Sequence, residues 1–136
     1  MSTPDGITSF AELALPAHLQ KALIDVGYET PSAIQARIIP HMLEGADVLG
    51  QAQTGTGKTA AFALPILERM KVHANTSFSP ARHPIRVLVV APTRELAIQV
   101  HESFRTYGRH VGLRSTIVYG GVPMGPQERD LLSGVE

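Results

Sequence analysis

The residues best suited to chemistry lie in one short stretch, AQTGTGKTAAF, at positions 52–62. Gly55 and Gly57 permit backbone angles that other residues resist, so that consecutive N–H groups can turn toward one anion. Lys58 supplies a positive charge for the β- and γ-phosphates of a nucleotide, and the Thr59 hydroxyl can ligate Mg²⁺. The types and spacing of these residues predict a phosphate-binding loop in which Lys58 and Thr59 are the catalytic residues.

One position departs from the general phosphate-loop pattern G-x-x-x-x-G-K-[ST], which has glycine where this chain has Ala52. Because that position only begins the loop, a small residue with ordinary backbone angles is sufficient there. The alternative is a glycine-rich turn that binds no ligand, and the sequence GTGKT between a predicted strand and a predicted helix disfavours it. The residues that we expect around the phosphates are Ala52, Gln53, Thr54, Gly55, Thr56, Gly57, Lys58 and Thr59.

A second informative stretch, GYETPSAIQ, occupies positions 27–35. The Gln35 amide carries both a donor and an acceptor, so it can pair with the N6/N7 edge of adenine, whereas guanine presents acceptors at both positions. Phe10, upstream of this stretch, could stack on a base. Taken alone, Gln35 is more often a surface residue of a helix, and Phe10 is more often a core residue. The specific hypothesis is an adenine site beside the phosphate loop.

Strands and helices alternate among the elements that must position these residues. Apolar periodicity and stop signals predict helices over 16–26, 30–43, 58–70, 94–110 and 126–132, and strands over 47–52, 86–92 and 114–121. We predict that residues 134–136 begin a fourth strand and that residues 72–84 form a loop. Ser32 is the expected cap of the second helix, and we expect Pro40 to kink or divide it and Pro65 to interrupt the third. This alternation favours an α/β fold with helices on both faces of a parallel sheet.

The composition narrows the class of protein. The chain has 136 residues, of which 43% are hydrophobic, and its twelve basic and twelve acidic residues give a net charge of zero. These values suit one globular domain that would contact nucleic acid through a few placed groups. The chain has no cysteine, which excludes disulfides, thiolate catalysis and cysteine-ligated zinc. The six histidines show no metal-ligand spacing, and the N-terminus shows no secretory signal. We expect a cytoplasmic monomer that does not enter a membrane.

Five stretches together resemble the N-terminal lobe of the DEAD-box RNA helicases. In chain order they are Phe10, GYETPSAIQ at 27–35, AQTGTGKT at 52–59, PTRELA at 92–97 and Gly120-Gly121. Their order and spacing match the Q motif, motif I, motif Ia and GG motif of that family. In the family the phosphate loop usually begins with alanine, as AxTGxGKT, so Ala52 follows the family's own form. A Q motif beside this loop is more specific than the loop alone.

The resemblance implies ATP and Mg²⁺ as ligands and RNA as a partner. It assigns Phe10 to stacking on adenine, Gln35 to reading the edge of adenine, and residues from Tyr28 to Pro31 to the same pocket. It assigns residues 54–59 to the phosphates and to Mg²⁺, with Thr59 as the metal ligand. The residues that it assigns to sequence-independent contacts with the RNA backbone are Pro92, Thr93, Arg94, Gly120 and Gly121.

The residues themselves agree with this assignment for positions 92–94. They follow a predicted strand, at the edge where ligands of open α/β sheets bind, and they begin a predicted helix whose N-terminus favours phosphate. Glu95 in the first turn complements the helix dipole. The alternatives are an ordinary helix start here and an ordinary turn at 120–121. Backbone N–H groups at 120–121 would contact RNA without reading its sequence.

Hydrolysis of ATP needs a further group, a carboxylate that holds Mg²⁺ or orients the attacking water. None of the acidic residues after the loop follows an apolar strand, and neither D-E-A-D nor S-A-T occurs. We therefore expect the N-terminal part of an ATP-dependent RNA helicase that does not turn over ATP by itself. It would comprise a flexible segment 1–9, a Q-motif region 10–36 and an incomplete RecA-like lobe 37–136, truncated after about three strands.

Three other classes of protein stay open. A P-loop kinase of small molecules would share residues 55–59 but would have no use for Phe10 and Gln35, and a DNA helicase would share the loop without this Q motif. A non-catalytic module that binds adenine nucleotide or a partner protein is the main alternative. A preference for ATP over GTP that is lost in Gln35→Ala would favour the helicase lobe. Compact loops and a short N-terminal extension favour a bacterial source.

Overall fold

The computed structural model describes residues 6–72 and 84–136 of the chain. These residues form the α-helices α1 (Ala17–Asp25), α2 (Ala33–Leu43), α3 (Lys58–Met70), α4 (Arg94–Tyr107) and α5 (Met124–Leu132), and one 3₁₀ helix, Phe10–Glu12. Most of the predicted loop 72–84, and the first five residues of the segment predicted to be flexible, lie outside the described residues. None of the helices described is long and apolar enough to cross a membrane.

The five predicted α-helices are confirmed, with differences at their ends and at their prolines. α4 ends at Tyr107 because Gly108 caps it, and α5 begins at Met124, before its predicted start. Pro40 and Pro65 lie within α2 and α3 without dividing them, so the predicted division and interruption are wrong. Proline removes one helical hydrogen bond. Pro65 is buried, and its packing in the core offsets that loss.

The core forms between the helices. α2 packs against α3, and α4 contacts both α3 and α1. Apolar side chains of α1, α2 and α3 meet there, and the large ones that are almost completely buried include Leu19, Leu23, Ile39 and Leu64. Phe10 and Tyr107 belong to the same cluster. Because α2 carries Gln35 and α3 begins at the phosphate loop, the packing of these two helices fixes the relative position of the two predicted motifs.

A completely buried position of α3 tests this core. We expect Leu64→Ala to lower the free energy of unfolding by about 2–5 kcal/mol, through lost burial and a residual cavity. Leu49→Ala is the matched control, because Leu49 is 99% exposed; it should change stability by less than about 0.5 kcal/mol. Urea unfolding followed by circular dichroism measures both values. Equal effects of the two substitutions would show that α3 does not contribute to the core as described.

The three predicted strands differ from the structure. Residues 47–52, 86–92 and 114–121 have no strand pairing, and no β-sheet exists among residues 6–72 and 84–136. Leu88 and Val90, which the sequence pattern predicts to be buried, are largely exposed. A strand persists when neighbouring strands satisfy its backbone N–H and C=O groups. No backbone hydrogen bond joins these three segments to one another in the described part of the chain, so they do not form the predicted parallel sheet.

Glu136 lies between two of these segments. Its N–H donates to the Arg114 carbonyl at 2.9 Å, and its carbonyl oxygen accepts from the N–H groups of Arg86 at 2.8 Å and Val87 at 3.0 Å. The Glu136 side chain is buried as well. Residues 134–136, predicted to start a fourth strand, therefore bridge the two segments with backbone hydrogen bonds without forming a regular strand.

Candidate nucleotide and RNA interface

The predicted phosphate loop leads directly into α3. Gly55 and Gly57 have φ angles of +83° and +80°, which residues with a side chain rarely adopt, and Gly57 caps the N-terminus of α3. The free N–H groups and the dipole at the start of a helix favour an anion there. Most of the loop is open to solvent; its exposed residues are Gln53, Thr54, Gly55, Gly57 and Lys58.

Side chains of the loop hold its own backbone. The Lys58 amino group donates to the Ala52 carbonyl at 2.5 Å, which joins the two ends of the loop. The Thr56 hydroxyl donates to the Gln53 carbonyl at 2.6 Å. Thr59 is half-buried in the first turn of α3. Its hydroxyl is a hard oxygen of the kind that Mg²⁺ prefers, and Mg²⁺ would take its other ligands from phosphate and water. The donor set therefore fits a nucleotide-bound Mg²⁺.

Two side chains at the start of α2 reach the phosphate loop. The Gln35 amide nitrogen donates to the Gly57 carbonyl at 3.1 Å, and the Ser32 hydroxyl donates to the Thr56 carbonyl at 2.7 Å. The Gln35 amide oxygen accepts from the Ser32 N–H at 2.8 Å. Gln35 is 5% exposed, so it is not a surface glutamine. It links the stretch predicted to read adenine with the loop predicted to hold phosphates.

The sequence alone did not indicate the bond from Ser32 to Thr56. The sequence predicts only that Ser32 caps α2, whereas this bond crosses 24 positions of the chain. The one local signal is the spacing S-x-x-Q, which predicts that Ser32 and Gln35 face each other at a helix start. A Cβ at Gly57 would overlap with the Gln35 amide nitrogen. A side chain at position 57 would therefore displace the Gln35 amide, in addition to being disfavoured by the φ angle.

The Phe10 ring is buried among aromatic and apolar groups. It stacks on Tyr28, with ring centroids 6.4 Å apart and an interplanar angle of 14°. The Phe10 N–H donates to the Glu29 carbonyl at 3.1 Å, and Pro31 is buried as well. Burial raises the pKa of the Tyr107 hydroxyl, and a hydrogen bond with Tyr28 raises it further. These contacts join Phe10 to the Q-motif stretch, and its stacking on adenine stays a prediction.

The two groups predicted to contact RNA lie side by side. The Arg94 guanidinium donates to the Gly120 carbonyl at 3.4 Å, and its Nη1 would lie 2.8 Å from a Cβ at Gly121. Thr93 caps α4, because its hydroxyl accepts from the Leu96 N–H at 3.2 Å. The exposed residues of this surface are Pro92, Thr93, Arg94, Gly120 and Gly121. The fold thus brings together two groups from separate parts of the sequence.

His18, His101 and His110 take part in local side-chain pairs. No three His, Asp or Glu side chains lie close enough to hold a metal ion among residues 6–72 and 84–136. His18 lies 3.6 Å from Glu68, and burial lowers the pKa of His18. His110 lies 2.9 Å from Asp25, and this hydrogen bond lowers the pKa of Asp25. The histidines outside the described residues are His73 and His83.

Comparison with known proteins places these motifs in a family. The family model described as DEAD/DEAH box helicase matches residues 32–136. ATP-dependent RNA helicase dbp2 from Schizosaccharomyces pombe is 41% identical over 136 residues, and ATP-dependent RNA helicase DeaD from Escherichia coli is 48% identical over 128 residues. These alignments cover 100% and 93% of this chain but 24% and 19% of the two relatives. The chain therefore spans less than a quarter of the length of either.

Solved structures share the fold. A DEAD box protein from the hyperthermophile Methanococcus jannaschii has a TM-score of 0.78 and 32% identity, covering 94% of this chain and 33% of its own. The RNA helicase Prp28 from Chaetomium thermophilum, solved with bound ADP, has a TM-score of 0.79 and 35% identity, covering 93% and 30%. These similarities support an α/β helicase fold. The relatives include bacterial and fungal proteins, so a bacterial source stays a prediction. Because the family model matches well over half of the chain, the chain belongs to the DEAD/DEAH box helicase family.

Proposed function

We propose that this chain binds ATP with Mg²⁺ between the phosphate loop and α2, and that it contributes contacts to an RNA backbone. The observation that carries the proposal is the pair of hydrogen bonds from Ser32 and Gln35 to carbonyl groups of the loop. These bonds hold a side chain that can read adenine against a loop that can hold phosphates. Family membership supports ATP and RNA as the ligands, since the relatives are named ATP-dependent RNA helicases.

Gln35 keeps the groups that adenine needs. Its Oε1 accepts one hydrogen bond and its Nε2 donates one, so one acceptor site and one N–H remain. These can pair with N6–H and N7 of adenine, whereas guanine would present two acceptors. Phe10, Tyr28 and Pro31 border the proposed pocket. Tyr28 is exposed, whereas Phe10 is buried against it, so stacking of Phe10 on the base requires its ring to become exposed when the nucleotide binds.

The phosphates of ATP lie at the N-terminus of α3 in this proposal. The Lys58 ammonium would turn from the Ala52 carbonyl to the β- and γ-phosphates, and loop N–H groups from Thr54 onward would donate to the same oxygens. Thr59 contributes one oxygen to Mg²⁺. When bound, Mg²⁺ neutralises part of the phosphate charge.

RNA would lie along the surface formed by positions 92–94 and 120–121. Arg94 supplies the charge, and the exposed backbone at Gly120 and Gly121 allows close approach of a phosphate. Such contacts recognise the RNA backbone and not its sequence. In the whole protein, we propose that ATP hydrolysis drives local separation of RNA strands. This chain alone binds ATP without turnover, because no acidic residue after the loop follows an apolar strand segment from which it could orient water.

A nucleotide competition experiment tests the adenine site. In calorimetric titrations, the wild-type chain should bind ATP at least about tenfold more tightly than GTP. Gln35→Ala should raise the dissociation constant for ATP by about 10-fold or more, because it removes hydrogen bonds worth roughly 1–3 kcal/mol together. The ratio of the dissociation constants for ATP and GTP is the decisive value. Any effect of the substitution on the loop would weaken the binding of both nucleotides alike and leave this ratio unchanged.

Gln99→Ala is the matched control, because Gln99 is an exposed glutamine of α4 outside this site. It should leave both dissociation constants unchanged. Equal affinity of the wild-type chain for ATP and GTP would contradict the adenine site. Phosphate release from ATP in the presence of RNA, abolished by Lys58→Ala, would contradict the proposed lack of turnover. ATP binding that RNA does not affect, without RNA binding of its own, would favour the non-catalytic module.

A further inference from the structure

The Gln127 side chain of α5 bonds to the main chain of the loop that precedes this helix. Its amide oxygen accepts from the Tyr119 N–H at 2.8 Å, and its amide nitrogen donates to the Tyr119 carbonyl at 3.2 Å. The amide nitrogen also donates to the Pro123 carbonyl at 3.4 Å. One amide thus pairs with the N–H and the C=O of a single residue, as a neighbouring strand would. These bonds fix both ends of the loop, residues 119–123.

The residues between these two ends keep their own backbone donors free. In the described part of the chain, no acceptor pairs with the N–H groups of positions 120–122, and all three residues are exposed. Gly121 has a φ angle of +81°, which residues with a side chain rarely adopt. Consecutive exposed N–H groups are suited to an anion. The positions of these donors therefore depend on the bonds at the ends of the loop.

Arg94 of α4 reaches the same loop. Its guanidinium donates to the Gly120 carbonyl at 3.4 Å. Arg94 is exposed, and a guanidinium can pair with a phosphate directly. The Gln127 amide is neutral and half-buried, and both of its polar atoms are already bonded to the loop. The two side chains therefore differ in what they can do, because Arg94 can bind an anion whereas Gln127 can hold the backbone that binds it.

We propose that Gln127 is a positioning residue of the RNA-backbone site, because it holds the N–H groups of the loop where an RNA phosphate oxygen can accept from them. This role rests on the proposed RNA contacts at positions 92–94 and 120–121, and it belongs to a residue outside the five stretches that resemble the helicase family. Hydrogen bonds to a phosphate are directional, so the donors must keep one arrangement. Without Gln127 the loop would have to be ordered at the moment of binding, and this entropy cost would weaken the contact.

Gln127→Met tests this role, because methionine keeps the unbranched shape and the helix propensity of glutamine but lacks its amide. The probe is a fluorescein-labelled single-stranded oligouridine RNA, added to the full chain without nucleotide, and fluorescence anisotropy measures its dissociation constant. Gln127→Met should raise this constant by about tenfold, because the hydrogen bonds that hold the loop are lost. Gln99→Ala is the matched control, at an exposed glutamine of α4, and should leave the constant unchanged.

The dependence of RNA binding on salt separates positioning from direct contact. On single-stranded nucleic acid, each phosphate that a side chain neutralises contributes about 0.7 to the slope of log affinity against log salt concentration. Arg94→Met should therefore reduce this slope by about 0.7. Gln127→Met should leave the slope unchanged while it weakens binding at every salt concentration. A Gln127 that served only the stability of α5 would affect neither the slope nor the affinity of the folded chain.

Hydrogen exchange of backbone amides reports on the loop itself. Without RNA, the wild-type Tyr119 amide should exchange at least about tenfold more slowly than the amides of Gly120 and Gly121, because only Tyr119 has an acceptor. RNA should slow exchange at both glycines by at least about tenfold in the wild-type chain, and by less than about twofold in Gln127→Met. If circular dichroism shows that Gln127→Met does not fold, the wild-type rates decide alone, and equal rates at the three amides would contradict the proposed role.

Three further results would overturn this role, and they separate it from the RNA site itself. If the wild-type chain binds the RNA and Gln127→Met binds it as tightly, Gln127 does not position the loop, although the RNA site stands. A smaller salt slope in Gln127→Met would show that Gln127 contacts a phosphate directly. If the wild-type chain neither binds the RNA nor gains protection at positions 120–121, the RNA site and the role of Gln127 fall together.

Discussion

Replacing Gly57 with alanine should nearly abolish ATP binding and destabilise the fold. The φ angle of +80° at Gly57 disfavours any residue with a side chain by about 1–2 kcal/mol. The new Cβ would also overlap with the Gln35 amide nitrogen. A buried amide that loses its partner costs about 1–3 kcal/mol. Together these effects should lower the free energy of unfolding by about 2–5 kcal/mol and raise the dissociation constant for ATP at least about 100-fold.

Gly55→Ala separates the cost of the positive φ angle from the cost of displacing the Gln35 amide. Gly55 has nearly the same φ angle, +83°, but a Cβ there would have no atom within 4 Å. It should therefore show only the conformational penalty of about 1–2 kcal/mol. Urea unfolding and calorimetric titration with ATP measure both variants. If Gly57→Ala and Gly55→Ala behave alike, the contact between Gln35 and the loop does not hold the loop in its binding conformation.

The helices of this chain could be predicted because their signals are local. The apolar spacing of Leu19 and Leu23 and the stop at Gly27 bound α1 within one or two residues. Pro65 misled the prediction, because its effect depends on burial against other helices, which the local sequence does not contain. The local backbone of the predicted phosphate loop was also predictable, since the glycines and the start of α3 are adjacent in sequence; phosphate binding stays a prediction.

The segments predicted as strands show the limit of local patterns. Leu88 and Val90 are typical of a buried strand, yet a strand depends on partners that are distant in sequence. Residues 86–92 have the composition of a strand. Within the described residues, however, they lack the neighbouring strands that would complete their backbone hydrogen bonds. The bond between Ser32 and Thr56 was missed for the same reason, because tertiary packing of α2 on α3 creates it.

Loss of Arg86, which lies far from the phosphate loop, should lower the stability of the fold. Its guanidinium donates to the carbonyl groups of Val72 at 2.8 Å and Met70 at 2.9 Å, at the C-terminal end of α3. It also forms an ion pair with the Glu136 carboxylate at 2.8 Å, and that side chain is 1% exposed. Arg86→Leu removes one guanidinium from this buried carboxylate. We expect a loss of about 3–5 kcal/mol in the free energy of unfolding, measured by urea.

Arg109→Leu is the matched control, because Arg109 pairs with Asp25 at 3.7 Å and its side chain is 42% exposed. An exposed ion pair contributes less than about 1 kcal/mol. Glu136→Gln removes the buried charge and keeps Arg86 on α3, so it should cost less than Arg86→Leu. A smaller loss of stability in Glu136→Gln than in Arg86→Leu would show that the buried charge, and not simple loss of packing, causes the effect of Arg86→Leu. If Arg86→Leu costs no more than Arg109→Leu, the ion pair with Glu136 does not hold residues 134–136 against Arg86, and the backbone hydrogen bonds of Glu136 do so alone.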